Sequence, residues 1–582
     1  MLRGKKYSLL HAEWGLIITF ALILLVLNIF ILYPIALLLY KAFEEDGKIT
    51  LANFMYYFIN KSFVEGLLNS LVLAFAVVVT TSLIGVPLAI LMARYEFPLK
   101  SAFLNMLLIP MILPPFVGAL GLQYILGEHG SLNLLLEELG IIKYPIPWLY
   151  FRYYVDIMGY RLTIHLGYIL VETLHLFPLI FLNTLASLYS IDPSLEEQAE
   201  VLGAHGLYLL RTIVMPLVMP GWIAGAILVF IWSFTDLGTP LMLGFPNLIA
   251  FQAFSEFKRL RESRLSYVMS ILMVLISISI VALGRRYLSL REYAKVQSGL
   301  SGSRREYKVR GLKLVVVYAF LIVLLAFSLS PHIGLILTSI SKSWVLSILP
   351  TEYTLDHYLA ILSPTGVTPG LLYVKNSLTY SSVAMLIDIV LGAAIGYFLV
   401  RREFPLKSLL DYLSMIPLAI PGVAIGIGYY VTLMNTPLDP TLRADIPITI
   451  SLTFRRLPYT VRAAYAGLLQ LPEDYEEASL SLGASRLKTF IKITVPLLAP
   501  HLIAGGILAF INAMLEVSST LILCTRPRYG TVTWGIFQVA QNPLYGVEQA
   551  SALGVILMLT VLLLMVVVNK VMGARLGLVY RA

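Results

Sequence analysis

One cysteine, Cys524, in 582 residues leaves no disulfide framework and no thiolate metal cluster. Histidine is scarce as well. Its eight copies show no i, i+4 spacing of the kind that puts two imidazoles on one helix face for zinc. No nucleophile and base constellation is visible, so neither catalytic nor metal-ligating residues are assigned. Charge is also thin: Asp, Glu, Lys and Arg make up 13% of the chain, against about 25% in soluble domains. What fills the space is hydrocarbon. Hydrophobic residues account for 58% and the mean hydropathy is +0.84, values of a chain that resides in a bilayer. The formal charge of +9 does not indicate nucleic acid, because the basic residues sit in short loops beside apolar runs, where they set topology.

Crossing about 30 Å of hydrocarbon takes roughly 20 helical residues. Twelve apolar runs reach that length, near 14 to 40, 66 to 93, 103 to 126, 162 to 190, 217 to 243 and 265 to 284. The second set lies near 312 to 340, 375 to 400, 408 to 434, 446 to 470, 498 to 524 and 550 to 572. Helices are expected, because barrel strands would alternate over about ten residues. The first run follows Arg3, Lys5 and Lys6, has no small-residue cleavage site, and reads as a retained anchor. The basic stretch 285 to 313 (Arg285, Arg286, Arg291, Lys295, Arg304, Arg305, Lys308, Arg310 and Lys313) is expected on the cytoplasmic face, and both termini with it. The loop with Lys258, Arg259, Arg261 and Arg264 falls on the opposite face and is the exception to this rule.

The chain repeats itself. Asn69, Ser70, Leu71 recurs as Asn376, Ser377, Leu378, and Glu96 to Ser101 recurs letter for letter at Glu403 to Ser408, both at an offset of 307. Farther on, Leu202, Gly203, Ala204 matches Leu482, Gly483, Ala484, now at an offset of 280, so the first half carries about 27 extra residues. They fall near 128 to 161, a polar and aromatic stretch expected to be an outside loop or re-entrant piece. Six crossings separate equivalent points, so the halves share one orientation, with a path expected between them. The first repeat is taken as 1–295 with a cytoplasmic loop near 190–216, the second as 296–582 with its loop near 470–496.

Those two loops carry a short polar helix each, LEEQAEVLG at Leu195 to Gly203 and YEEASLSLG at Tyr475 to Gly483. Asp192 and Pro193 make an N-cap with proline at the first helical position, and Pro472, Glu473 and Asp474 place a proline and acids in the other helix's first turn. Gly203 and Gly483 supply the left-handed stop. A solvated connector is the plain alternative for either loop alone. Two copies with one spacing read as docking elements for a partner. The segment GASRLKT at Gly483 to Thr489 superficially resembles a phosphate loop but lacks the second glycine before lysine and follows no strand.

Here the sequence resembles the cytoplasmic EAA loop of permeases of binding-protein-dependent ABC importers. Glu197, Ala199, Gly203, Ile213 and Pro216 match its pattern, as do Glu477, Ala478, Gly483, Ile493 and Pro496; Gln198, Ser479, Met215 and Val495 depart from it. The resemblance implies an all-α integral membrane protein of about twelve transmembrane helices in two parallel six-helix repeats, the type I importer permease fold. It implies coupling to an ATPase through Glu196, Glu197, Ala199 and Gly203, and through Glu476, Glu477, Ala478 and Gly483. It further implies two copies of a separate ABC ATPase subunit that carry ATP and Mg, an extracytoplasmic substrate-binding protein, no cofactor on this chain, and a multi-pass place in the inner or plasma membrane. The fused halves, the segments Thr50 to Phe54 and Thr354 to Tyr358, and the run at Arg455 to Gly467 are most similar to the ferric-iron permease group; relatives of this layout also serve thiamine and phosphonates. An ion-coupled secondary transporter would instead need midplane ion sites and no docking helices.

Charges inside apolar runs complete the reading. Asp236 and Glu516 each lie 33 residues past the loop glycine of their half. An ionisable group at that depth needs a cavity or a partner. Arg455 and Arg456 are the available partners, and the four are candidates for lining or gating the pathway, with interhelical pairing as the alternative. Asp388 has no counterpart, since Thr81 holds the matching place. The clusters Pro114, Pro115, Gly118, Gly121 and Pro421, Gly422, Gly426, Gly428 mark either backbone that lines a cavity or bends, or close helix packing.

Overall fold

Backbone groups in hydrocarbon must pair within their own segment, and the apolar runs accordingly form helices. The computed structural model describes residues 14–260, 263–292, 307–363, 368–541, 543 and 546–572. In the first half these are α1 (Trp14–Phe43), α2 (Lys61–Arg94), α3 (Lys100–Ile112), α4 (Pro115–Leu126), α5 (Leu166–Tyr189), α6 (Pro193–Val201), α7 (Gly206–Phe234), α8 (Gly238–Leu243), α9 (Ile249–Leu260) and α10 (Arg264–Glu292). The second half repeats the order as α11 (Leu312–Ser339), α12 (Gly370–Arg401), α13 (Lys407–Leu418), α14 (Gly422–Leu433), α15 (Asp445–Gln470), α16 (Asp474–Ser481), α17 (Arg486–Met514), α18 (Ser518–Leu523), α19 (Val532–Ala540) and α20 (Gly546–Met572). Most of the expected linker, 293–306, lies outside the described residues.

Among the described residues nine helices are long and apolar enough to cross a membrane, or eleven if each of two bent pairs counts as one crossing. The expected crossings at 103 to 126 and 408 to 434 are these bent pairs, broken by 99° and 108° rather than running straight. Pro114–Pro115 and Pro421–Gly422 sit at the two breaks, where proline withholds the N–H that a continuing helix needs. The tenth expected crossing, α15, is 26 residues long but carries Asp445 and three arginines.

The glycines beyond the breaks serve contact. A Cβ on Gly121 would lie 2.3 Å from the Leu335 backbone nitrogen, and one on Gly334 2.3 Å from the Gly121 carbonyl oxygen, so α4 and α11 touch backbone to backbone. Gly428 in turn meets the Pro34 carbonyl of α1, where Tyr429 Oη donates to the Phe30 oxygen at 2.5 Å and Phe30 stacks on Phe454. Each half thus lays its first helix against the other half's broken pair, and the halves interlock reciprocally. Gly121→Val is expected to force α4 and α11 apart and to cost about 1–3 kcal/mol, the usual range for overpacking, read as a lower thermal unfolding temperature in detergent.

The first-half insertion differs from the expected loop. It holds a helix, Ser131–Glu138, and an antiparallel hairpin of β1 (Arg152–Ile157) and β2 (Tyr160–His165), turned through Met158 and Gly159 at φ of 50° and 85°. Two positive φ values in a two-residue loop are those of a type I′ turn. The helix α5 follows β2 directly and separates the hairpin from α6 by its whole length, so hairpin and α6 lie at opposite ends of the bundle. Near the hairpin's end Arg264 pairs with Glu45 at 3.1 Å and Asp46 at 2.9 Å. Those acids offset the basic loop that breaks the charge rule; Arg261 lies outside the described residues.

Candidate functional site

The two polar loops fold as their punctuation dictates. Asp192 accepts from the Ser194 N–H at 2.9 Å and Pro193 opens α6. In the second half Pro472 and Glu473 stand just before the helix rather than in its first turn, which is occupied by Asp474, Glu476 and Glu477. Gly203 and Gly483 have φ of +92° and +85°. The N–H of Gly203 meets the Glu200 oxygen and that of Ala204 the Ala199 oxygen, at 3.0 and 2.9 Å; Gly483 and Ala484 repeat this onto Leu480 and Ser479. This is the Schellman arrangement, which ties off the last carbonyls of a helix.

What holds each short helix to the bundle was not read from the sequence. Arg94 at the end of α2 pairs with Glu196 at 2.7 Å, and Arg401 at the end of α12 pairs with Glu476 at 3.2 Å and Glu473 at 3.3 Å. Arg94 and Arg401 are equivalent at the offset of 307, Glu196 and Glu476 at 280. One glutamate of each doublet is therefore an anchor. The other, Glu197 or Glu477, is exposed, as is Ala478, while Ala199 is buried. Beside them Val201, Leu202 and Leu482 are 87–89% exposed. Apolar side chains that open next to an exposed acid on an anchored helix form a patch of the kind that marks interaction sites.

Between the halves lies a cavity of about 520 Å³. The second half contributes Arg455, Arg456, Arg462, His501 and Glu516; the first contributes Glu172, His175, Asn183 and Asp236. Arg455 Nη1 reaches Glu516 Oε1 at 2.6 Å, and Arg456 Nη2 bonds the second carboxylate oxygen. Both guanidiniums go to Glu516, which is 4% exposed. Asp236 lies in the matching place but accepts instead from the N–H groups of Gly238 and Thr239 at 3.2 and 2.9 Å, the first turn of α8. Glu516 likewise accepts from Ser519 N–H at 3.2 Å. The two acids are thus helix-start caps in equivalent positions, and only one has also acquired arginines.

Glu172 and His175 were missed. Glu172 accepts from Thr239 Oγ1 at 2.9 Å, and His175 stands at the position equivalent to Arg455 under the offset of 280. The repeat itself was the signal that points to His175. Asp236→Ala removes a cap and is expected to cost about 1 kcal/mol, visible as a small drop in thermal unfolding temperature with the cavity intact.

The family of binding-protein-dependent transport system inner membrane components matches the sequence twice, over residues 85–292 and 388–577. The chain belongs to this family. Each match encloses one anchored helix, α6 or α16, and one set of cavity acids. A putative ferric transport system permease protein of Haemophilus influenzae is 27% identical over 89% of this chain and 80% of its own length. A ferric transport system permease protein of Actinobacillus pleuropneumoniae is 27% identical over 98% of this chain and 79% of its own. A molybdate/tungstate transport system permease protein of Thermococcus kodakarensis is 31% identical over 35% of this chain and 78% of its own length, a match of the size of one half. Family membership makes the chain a membrane permease component of a transport system rather than an enzyme.

Proposed function

We propose that the chain is a two-domain permease of an ATP-driven importer, that α6 and α16 each dock on one of two ATPase subunits, and that the cavity between the halves is the path of the solute. The observation that carries this reading is the twin helix, each copy ended by a left-handed glycine and fixed to α2 or α12 by an arginine. Such a lever transmits displacement instead of bending. On this reading Glu197 and Glu477 meet the ATPases, Glu196 and Glu476 keep the lever attached, and Gly203 and Gly483 end it. Repeats 1–295 and 296–582 form the two walls, with both termini and the levers on the cytoplasmic side. An extracytoplasmic binding protein delivers the solute at the end that carries the hairpin.

For the solute we take ferric iron, the cargo named for two relatives that align along nearly the whole chain. Asp236, Glu516, Arg455 and Arg456 line the path, with Glu172 and His175 added to them. The test is uptake of radiolabelled ferric iron into vesicles that hold the complex purified on this chain, together with its binding protein. ATP-dependent accumulation is expected. Accumulation of molybdate in place of iron would overturn the cargo, and uptake that persists without any ATPase subunit would overturn the permease reading.

A further inference from the structure

Asp388 on α12 is the buried acid for which the pathway reading has no use. It is 0% exposed, and neither carboxylate oxygen has a hydrogen-bond partner among the described residues. Its equivalent in the first half, Thr81, donates its hydroxyl to the Val77 carbonyl at 2.6 Å within its own helix, so the same place there is satisfied internally. A carboxyl buried among membrane helices without a bond is costly, and its presence calls for a state in which it has one.

The packing of α12 on α15 names that partner. A Cβ on Gly392 would meet Thr460 at 2.6 Å and one on Gly396 would meet Ala464 at 2.7 Å, a constant register. One turn earlier the same register sets Asp388 opposite Arg456, the charged group whose field acts on that carboxyl. Arg456 holds Glu516 through Nη2, and its buried Nε has no hydrogen-bond partner among the described residues. One guanidinium therefore has an acid on either neighbour, Glu516 in the turn after α17, to which it is bonded, and Asp388 at the register position opposite it on α12.

We propose that Arg456 exchanges its partner during the transport cycle, holding Glu516 in the conformation seen here and Asp388 in the alternative one, which makes Asp388 a positioning residue for the change of access. This rests on the transport reading above. The tight glycine contacts fix α12 to α15, and Gly505 and Gly506 seat α17 on the same pair, so relative movement is left to the turn past Met514. The lever α16 leads through Gly483 directly into α17, and Glu516 stands in the turn just past the far end of that helix at Met514. A push on α16 is thus delivered to Glu516 and draws it off Arg456, while Asp388 moves with the arginine and receives it.

The test uses the complex purified on this chain in lipid nanodiscs, with Cys524→Ala and Asn512→Cys, the latter on the cavity wall. The readout is labelling of Cys at 512 by a bulky polar maleimide, without nucleotide and with ATP and vanadate. The background chain should change its labelling on ATP. Asp388→Asn should keep the nucleotide-free labelling and shrink the ATP-induced change about tenfold, within the usual range of coupling between sites, and Asp388→Glu should restore it. Asp388→Leu should behave like Asp388→Asn while raising thermal stability, because it removes the unpartnered carboxyl. A retained ATP-induced change in both Asp388→Asn and Asp388→Leu would overturn the exchange. Absence of that change in the background chain would remove the transport reading and the exchange together.

Discussion

Reversing both exposed lever charges, Glu197→Lys with Glu477→Lys, is expected to abolish solute uptake while the protein still reaches the membrane and keeps its unfolding temperature. The two glutamates make no ion pair within the described residues, since their neighbours Glu196 and Glu476 hold the anchoring arginines. Substitution at 197 and 477 is therefore expected to leave the fold untouched and to alter only the surface that, on the proposed reading, meets the ATPase. Each reversal turns a favourable contact into a like-charge one or removes it, and a loss of about 1.4 kcal/mol per site is tenfold in binding. Because one chain carries both levers, the losses compound. Single reversals are expected to retain partial uptake. The matching change at the anchors, Glu196→Lys with Glu476→Lys, should instead lower stability, because each places a cation beside a buried arginine.

Glu516→Gln is expected to have the largest effect on stability of any single change in the cavity. It strips the counter-ion from Arg455 and Arg456, which are 16% and 12% exposed. Breaking a buried pair by removing one member costs about 3–5 kcal/mol, because the remaining charge stays desolvated. Glu516→Asp keeps the charge and should recover part of that loss. Asp236, in the equivalent place, pairs with no arginine among the described residues. Thermal unfolding of the purified complex in detergent, with Asp236→Asn alongside, reads the difference directly: a large drop for Glu516→Gln and a small one for Asp236→Asn.

How much of this was legible in the sequence follows from the range of each interaction. The repeat, the caps at Asp192, Gly203 and Gly483, and the acid depth at 236 and 516 are local or periodic signals, and they could be read. The anchors Arg94–Glu196 and Arg401–Glu476 join residues 102 and 75 positions apart, and no local pattern marks them. Even so, the offsets that align the two halves place both pairs in register. The reciprocal exchange of α1 and α11 left no trace, because it is made of apolar side chains and bare backbone at Gly121, Gly334 and Gly428, which look alike in every membrane helix. The hairpin was legible and overlooked: Tyr153, Val155 and Ile157 alternate with polar residues or Tyr154, and a Met–Gly pair stands at the turn. Glu172 lay hidden in an otherwise apolar run, where one acid is easily absorbed into the hydrophobic average.

The most direct measurement of the central claim is disulfide or bismaleimide crosslinking from cysteines placed at 197 and 477, in a Cys524→Ala background, to the ATPase subunits of the purified complex. The account predicts that each position joins a separate ATPase copy and that the crosslinked complex no longer transports. Free levers in a complex that still accumulates solute on ATP would contradict it.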